Sequence, residues 1–239
     1  MLVVSERAGP APPPLPSPAS GGGSVSSGHR VWDLPTRLFH WSLLACVVGA
    51  FTSAKIGGNA MVWHMRFGYA ALALVLFRIL WGLAGDHHAR FASFVRGPRA
   101  VLAYLRGQAA HGGGHNPAGG WSVLAMLLVL ATQASTGLFA SDDIATEGPL
   151  AKLVSGAWVS WATRIHHWNE NVILALVALH VLAIVFYAVF KRDNLVRPMI
   201  VGDRPVPVAP PARDDATIRI RAAILAGASA ALVGYVVTL

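Results

Sequence analysis

The sequence has little charge, one cysteine and none of the short motifs that mark common soluble enzymes. Charged residues make up 13% of its 239 positions, against about 25% in an ordinary soluble domain, which argues against a soluble globular protein. The single cysteine, Cys46, excludes an internal disulfide scaffold and reads as a buried small hydrophobe. A Ser/His/Asp constellation, a glycine-rich phosphate loop and a metalloprotease helix are all absent, so those enzyme classes have no support.

The sequence contains long runs of apolar residues. Hydrophobic residues make up 54% of the chain, and they gather in five runs of about membrane-spanning length. At about 1.5 Å per residue, each run reaches across a hydrocarbon core of about 30 Å. The runs cover residues 35–54, 62–84, 121–140, 164–190 and 219–239. We therefore expect an all-α protein, a polytopic membrane helical bundle.

The N-terminal segment has a different composition. Residues 1–30 are rich first in proline and then in glycine and serine, so they cannot bury enough apolar surface to offset the entropy cost of ordering. We expect a disordered cytoplasmic tail. It has no apolar stretch of the kind found in a secretory signal, and the first hydrophobic helix is expected to direct insertion.

The distribution of basic residues predicts the orientation. Fourteen of the 19 Arg and Lys residues lie in the N-terminal segment, the 85–120 loop and the 191–221 loop, and four lie in the two opposite loops. The positive-inside rule puts the N-terminus in the cytoplasm and, with five crossings, the C-terminus outside. The loop with Asp142, Asp143 and Glu147 is then external and acidic. Because the basic residues are scattered among loops, the net charge of +8 does not predict a nucleic-acid partner.

Two further features concern the membrane surface. All eight tryptophans lie at or near run ends, where an interfacial belt is expected. Residues 98–106 alternate basic and apolar positions after a proline, which fits a short interfacial helix or, equally, an ordered loop.

Four histidines lie within the apolar runs or at their ends, where an ionisable group is costly and by default marks function. In the predicted topology His40 lies near the cytoplasmic side, and His64 and His166 lie near the external side. His180 follows His166 by fourteen residues, which places it about 21 Å deeper and within about 40° of the same helix face. The histidines therefore form two level pairs, His40 with His180 and His64 with His166. His167 points away from this face.

Paired imidazoles at two depths suit a particular cofactor. Two histidines that face each other across a helical bundle supply both axial ligands of a haem and leave no position for oxygen. A structural zinc site needs three or four ligands in one cluster, which this arrangement does not provide. His111 and His115 frame a glycine tract without a third ligand, and we interpret them, with His29, His87 and His88, as loop residues.

Arg78 is the only charge deep inside an apolar run, and an unpaired arginine at a helix centre costs about 2.5–3.5 kcal/mol. It lies fourteen residues after His64, so a haem propionate is a suitable partner; snorkelling to the headgroups is an equal alternative. Arg37 and Arg66, close to His40 and His64, are further candidates. Gly49, Gly68 and Gly137 suit close approach of either a porphyrin or another helix.

These residues resemble the bacterial cytochrome b561 family, which includes the b-type cytochrome subunits of nickel–iron hydrogenases. The likeness covers residues 31 to about 203. Its motifs are VWDLPTRLFHW at 31–41, HMRFG at 64–68 with Arg78 and WG at 81–82, RIHHWNEN at 164–171, LH at 179–180, and KRDNL at 191–195. The departures are the N-terminal tail and the fifth helix, and neither removes a histidine.

The resemblance implies a four-helix core around two b haems in the bacterial cytoplasmic (inner) membrane, which we assign to residues 31–203. The apolar run near the end of the chain adds a linker and a fifth transmembrane helix, residues 204–239, whose C-terminus is expected in the periplasm. The resemblance assigns the axial ligands to His40, His64, His166 and His180, in the same pairs, and carries an arginine at the Arg78 position.

The function expected is a dihaem b-type cytochrome that carries electrons between the quinone pool and a periplasmic redox partner such as a c-type cytochrome. The alternatives are the cytochrome b subunit of a membrane-bound hydrogenase, a superoxide:quinone oxidoreductase and, more distantly, a cofactor-free transporter or proton relay. The acidic external loop would repel superoxide, which is an anion, and this disfavours the superoxide:quinone oxidoreductase. Quinone is expected as an exchangeable substrate, and whether the protein is an enzyme in its own right stays open.

Overall fold

The computed structural model describes residues 29–108, 114–205 and 210–239. Within these ranges the chain forms eight α-helices, several short 3-10 turns and one pair of two-residue strands. The helices are α1 (Leu34–Ile56), α2 (Met61–Ala84), α3 (Phe91–Phe94), α4 (Pro98–Leu105), α5 (Pro117–Gly137), α6 (Gly156–Phe190), α7 (Val196–Val201) and α8 (Ala216–Val236); the strands are β1 (His29–Arg30) and β2 (Asp203–Arg204). The all-α prediction is confirmed.

Five of these helices, α1, α2, α5, α6 and α8, are long and apolar enough to cross a membrane. They match the five predicted runs, and the chain is a multi-pass membrane protein. The largest difference is in α6, which begins at Gly156 rather than near residue 164 and has 35 residues, about 52 Å. Ser155 caps its start by accepting the backbone N–H of Trp158, so the helix extends beyond the apolar run that marked it.

Side-chain caps fix the starts of three more of the long helices. Asp33 accepts the N–H of Thr36 at α1, Asn116 accepts that of Gly119 at α5, and Asp215 accepts that of Ile218 at α8. Each cap satisfies one of the backbone donors that a helix start leaves unpaired. Pro35 and Pro117, in the first turns of α1 and α5, have no N–H to satisfy.

The helices do not all pack on one another. Close packing joins α1 to α2, α2 to α5, α5 to α6, and α2 to α8, while α6 makes no comparable contact with α1 or α2 within the described ranges. The fifth membrane helix, α8, contributes Ile218 and Ala222 to a buried cluster with Phe77 and Trp81 of α2. The helix α8 therefore packs directly on the core. The α6 helix, in contrast, stays separated from the α1–α2 pair.

The start of the described chain is tied down by the two strands. His29 pairs with Arg204, and Arg30 pairs with Asp203, also through a 2.7 Å ion pair. Gly202 adopts a φ of 95°, and its carbonyl accepts the N–H groups of the two residues that follow β1. The predicted disordered segment 1–30 is therefore wrong for its last two residues; the rest of that segment lies outside the described residues.

Two surface predictions have different outcomes. The segment after Pro98 is a helix, α4, so the helical alternative is correct. Trp32 and Trp81 are 8% and 0% exposed and do not belong to the predicted interfacial belt, whereas the other six tryptophans are 40–66% exposed, and their place in the belt stays a prediction. Trp81 stacks on Phe77, with ring centres 5.9 Å apart and planes tilted by 16°, and is a core residue.

Candidate functional site

The four membrane histidines meet as the two predicted pairs. The ring centres of His40 on α1 and His180 on α6 are 6.5 Å apart, and those of His64 on α2 and His166 on α6 are 6.0 Å apart. All four side chains are half-buried. Both pairs span the separation between α6 and the α1–α2 pair, one toward each end of the bundle.

These distances fit two axial ligands of one metal ion. With a metal–nitrogen distance of about 2.0–2.1 Å on each side, and each nitrogen set outward from its ring centre, the centres of two opposed imidazoles lie about 6 Å apart. Direct helix packing would instead bring α6 against α1 and α2. The lack of close packing between α6 and the α1–α2 pair suits a flat macrocycle between the paired rings.

Backbone carbonyls fix the tautomers of one pair. The Nδ1 atom of His64 lies 2.9 Å from the carbonyl oxygen of Ala50, and Nδ1 of His166 lies 3.0 Å from that of Gln133. A carbonyl only accepts, so each Nδ1 carries the proton and donates it, and each Nε2 keeps its lone pair. Such a bond sets the ring orientation and strengthens the imidazole as a metal ligand.

A polar group that the sequence reasoning missed surrounds His166. Asn169 donates from its amide to the carbonyl of Val129 and to the side-chain oxygen of Gln133, both at 2.9 Å. This turns the amide nitrogen of Gln133 to within 3.2 Å of Nε2 of His166. The signal available in the sequence was Gln133, the one side-chain amide in the run 121–140.

The glycines predicted to allow close approach, Gly49, Gly68 and Gly137, differ in what surrounds them. A Cβ at Gly49 would lie 2.7 Å from the ring of Phe67, so Gly49 serves helix packing. A Cβ at Gly137 would lie 2.9 Å from Cε1 of His166, so this glycine admits the imidazole itself. Gly68, one turn from His64 on the same face, has no atom within 4 Å of such a Cβ in the described chain. Its open surroundings lie beside the histidine pair and suit a macrocycle.

Arg78 is buried in α2, with 2% exposure, and does not snorkel to the surface. Its guanidinium lies over the ring of Phe91, 5.0 Å from the centre, and is attracted electrostatically by the carboxylate of Asp33. Asp33 was not predicted as a charged partner. Its carboxylate also accepts the indole N–H of Trp81 at 3.2 Å, and burial raises the pKa of this carboxyl group.

Buried polar atoms without a partner gather at the same end of the bundle as His40 and His180. Within the described residues they are Thr36 Oγ1, Arg37 Nε, His40 Nδ1, Arg78 Nη1 and His115 Nδ1. A buried donor without an acceptor is costly. The carboxylates of a haem are acceptors that would suit these groups, and the residues present therefore fit that cofactor.

Arg37 and Arg66 have contacts of their own. Arg37 donates to the carbonyl of Ile200 at 2.7 Å and lies 3.6 Å from the carboxylate of Asp214, so it ties α1 to the segments around α7 and before α8. Arg66 lies over the ring of Trp63, 4.9 Å from its centre. A contact of either arginine with the cofactor stays a prediction. His167 is exposed beside His166, as its predicted direction requires.

His115 differs from the plain loop residue predicted. Its ring lies between those of Trp32 and Phe94, with centres 4.7 and 4.5 Å away. Burial, and then the positive charge of Arg78, lowers the pKa of His115 to about 3. His111 lies outside the described residues, and the described ones contain no cluster of three or more metal-ligating side chains.

The acidic loop lies at the end of the bundle occupied by His64 and His166. The N–H of Ser141 donates to the hydroxyl of Thr163, one turn before His166 on α6. Asp142 accepts the N–H groups of Ile144, Ala145 and Thr146, and these bonds hold the pKa of its carboxyl group far below the usual range.

Comparisons with known proteins agree with this arrangement. Residues 31–202 match the family model of prokaryotic cytochrome b561. A probable Ni/Fe-hydrogenase B-type cytochrome subunit from Cupriavidus necator is 26% identical, over 76% of this chain and 91% of that protein. A protein of the same description from Bradyrhizobium diazoefficiens is 24% identical, over 85% of this chain and 97% of the relative.

The match covers well over half of the chain and includes all four membrane histidines. With five membrane-spanning helices and two opposed histidine pairs, the chain belongs to the prokaryotic cytochrome b561 family, whose members are haem-binding b-type cytochromes of electron transport.

Proposed function

We propose that this protein is a dihaem b-type cytochrome that carries electrons across the bacterial inner membrane, between the quinone pool and a periplasmic redox partner. The observation that carries the proposal is the pairing of His40 with His180 and of His64 with His166, at ring-centre distances of 6.5 and 6.0 Å. Haem b, when bound, accepts and releases one electron at its iron.

The histidines set the kind of chemistry. Each histidine pair would hold one haem iron through two imidazoles, and a haem held in this way would favour electron transfer over the binding of a small molecule. The carbonyls of Ala50 and Gln133 keep His64 and His166 in the required tautomer. His166 and His180 are fourteen residues apart on one helix, so the two sites lie about 21 Å apart along α6 and together cover most of the hydrocarbon core.

The remaining residues serve binding. Arg78 is buried and has an unpartnered Nη1, so its guanidinium would bind a haem carboxylate. In the orientation that the basic loops favour, Arg78 and His40 lie on the cytoplasmic side, and the N-terminus is cytoplasmic. The acidic loop is then periplasmic and lies close to His166, where its carboxylates would attract a basic protein such as a c-type cytochrome.

The first experiment counts haems. The purified chain should give a b-type dithionite-reduced minus oxidised spectrum and two haems by pyridine haemochrome. His64→Ala and His180→Ala should each lose one haem, while His167→Ala, a matched change at an exposed histidine, should keep both. Haem-free wild-type protein from haem-replete cells would refute the proposal, and so would two haems retained in either ligand variant.

A second candidate is the cytochrome b subunit of a membrane-bound hydrogenase. The observation that favours it is the description of the two relatives, which align over more than nine-tenths of their own lengths. In this case the periplasmic partner is a nickel–iron hydrogenase. Hydrogen should then reduce the haems in native membranes, and a tagged chain should co-purify the hydrogenase; haems that respond only to quinol would exclude this partner.

A further inference from the structure

A basic cavity lies outside the histidine sites, where α2 ends and α8 begins. Its volume is about 340 Å³, and its lining includes Asp86 and Arg90 of the turn after α2, and Arg213, Ile218 and Arg221 of the α8 region. The two helices are antiparallel membrane spans, and the cavity lies next to the last residues of one and the first of the other. It is therefore at the depth where lipid headgroups meet the hydrocarbon core.

The charges around this cavity are unbalanced. Three arginines line it against one carboxylate, that of Asp86, which is 8% exposed and accepts the backbone N–H of Arg213 at 2.9 Å. The side chain of Arg213 forms an exposed 2.7 Å ion pair with Asp215. Arg90 and Arg221 have no carboxylate partner within the described ranges.

The position of Arg221 is fixed by the end of the neighbouring helix. Its Nη1 atom donates to the carbonyl of Ala84, the last residue of α2, at 3.1 Å. This bond holds an exposed guanidinium of α8 at the boundary of the span. Ile218, 3% exposed, packs into the α2–α8 core and gives the cavity an apolar wall. The cavity thus combines fixed positive charge with an apolar side.

We propose that this cavity binds the phosphate of an anionic phospholipid headgroup, with Arg90 and Arg221 as its charged partners. A phosphate oxygen accepts several charge-assisted hydrogen bonds from a guanidinium, and basic pockets between membrane helices suit such headgroups. The lipid would bridge the turn after α2 and the start of α8, and so fasten the fifth helix to the core. This binding does not depend on the electron-transfer proposal.

The test measures lipid retained by the purified full chain. Native mass spectrometry compares phosphatidylglycerol with phosphatidylcholine of the same acyl chains, for the wild type and for the double variant Arg90→Gln/Arg221→Gln. Each arginine near the surface contributes about 1 kcal/mol to binding an anionic membrane lipid, so the double variant should bind phosphatidylglycerol about thirty-fold more weakly. The wild type should prefer phosphatidylglycerol.

The matched control is Arg99→Gln/Arg106→Gln, which removes two exposed arginines outside the cavity. It should bind like the wild type; an equal loss of lipid would mean a general basic surface and overturn the proposal. Equal binding of phosphatidylcholine by the wild type would overturn it too, and displacement of the lipid by millimolar inorganic phosphate would assign the cavity to free phosphate instead.

Folding is checked independently of lipid, by the haem spectrum and the melting temperature in phosphatidylcholine. If the double variant does not fold, Arg90→Gln alone serves, because this side chain lies in a turn and has no hydrogen-bond partner in the described chain. Unchanged binding of phosphatidylglycerol in a folded variant would refute the proposal.

Discussion

The indole nitrogen of Trp81 donates a 3.2 Å hydrogen bond to the carboxylate of Asp33, and both side chains are shut off from solvent, at 0% and 2% exposure. Asp33 also caps α1, and its charge lies near Arg78. One hydrogen bond therefore joins the start of α1 to the end of α2 and helps to keep a buried ionisable group in place.

We expect Trp81→Phe to destabilise the protein by about 1–3 kcal/mol, because it removes one partner of a buried carboxylate. Thermal unfolding followed by circular dichroism measures this change. Trp121→Phe is the control: Trp121 donates to the carbonyl of Arg96 at an exposed position, so its loss should cost little. Equal destabilisation by the two variants would contradict the role given to the buried bond.

Gly137→Ala should reduce haem at the His64–His166 pair. Its Cβ would lie 2.9 Å from the ring of His166, so the ring has to move away from the position that its bond to Gln133 fixes. Pyridine haemochrome analysis should give close to one haem per chain. Gly234→Ala on α8, where a Cβ meets no described atom, should keep two.

The variant Gly68→Val tests whether a cofactor occupies the open space beside Gly68. No described atom lies within 4 Å of a Cβ at Gly68, so a larger side chain is accommodated unless a macrocycle occupies the gap beside His64. We expect haem loss from this pair, while the helix content stays unchanged. The same change at Gly227 of α8, which also has open surroundings, serves as the comparison; full haem content in Gly68→Val would argue against a porphyrin beside this face.

His115 should make the folded state sensitive to acid. Its folded pKa of about 3 lies below the ordinary 6.5, so between these values the unfolded chain binds one more proton than the folded chain. The contribution to stability is complete above pH 6.5 and falls as the pH drops toward 3, by up to about 1.4 kcal/mol per pH unit.

The variant His115→Gln should therefore lose less melting temperature between pH 7.5 and pH 5.0 than the wild type. His29→Gln, a change at another histidine outside the membrane spans, should keep the wild-type difference. A wild-type response in His115→Gln would mean that this imidazole does not stay neutral in the folded protein.

The histidine pairs could be predicted because they depend on regular helix geometry. A rise of about 1.5 Å and a turn of about 100° per residue place His166 and His180 on one face without knowledge of any tertiary contact. The depths of His40 and His64 follow from the alternation of the spans.

What the sequence did not reveal depends on contacts between distant segments. Position near a run end could not tell that Trp81 faces Phe77 and Asp33 rather than lipid. The path that brings His115 between Trp32 and Phe94 is likewise set by where α1, α3 and α5 meet. The start of α6 differs for another reason. The charge of Arg164 ends the uncharged apolar run, although the helix continues back through residues 156–163 to its cap at Ser155.

The length and continuity of α6 have a consequence for how the two histidine pairs behave together. One uninterrupted helix carries one member of each pair, His166 and His180, whereas their partners lie on two different helices, α1 and α2. A rigid shift of α6 therefore changes both ring-to-ring distances at once. A partner protein that displaced α6 on binding would therefore change the geometry of both histidine pairs together, at the two ends of the bundle.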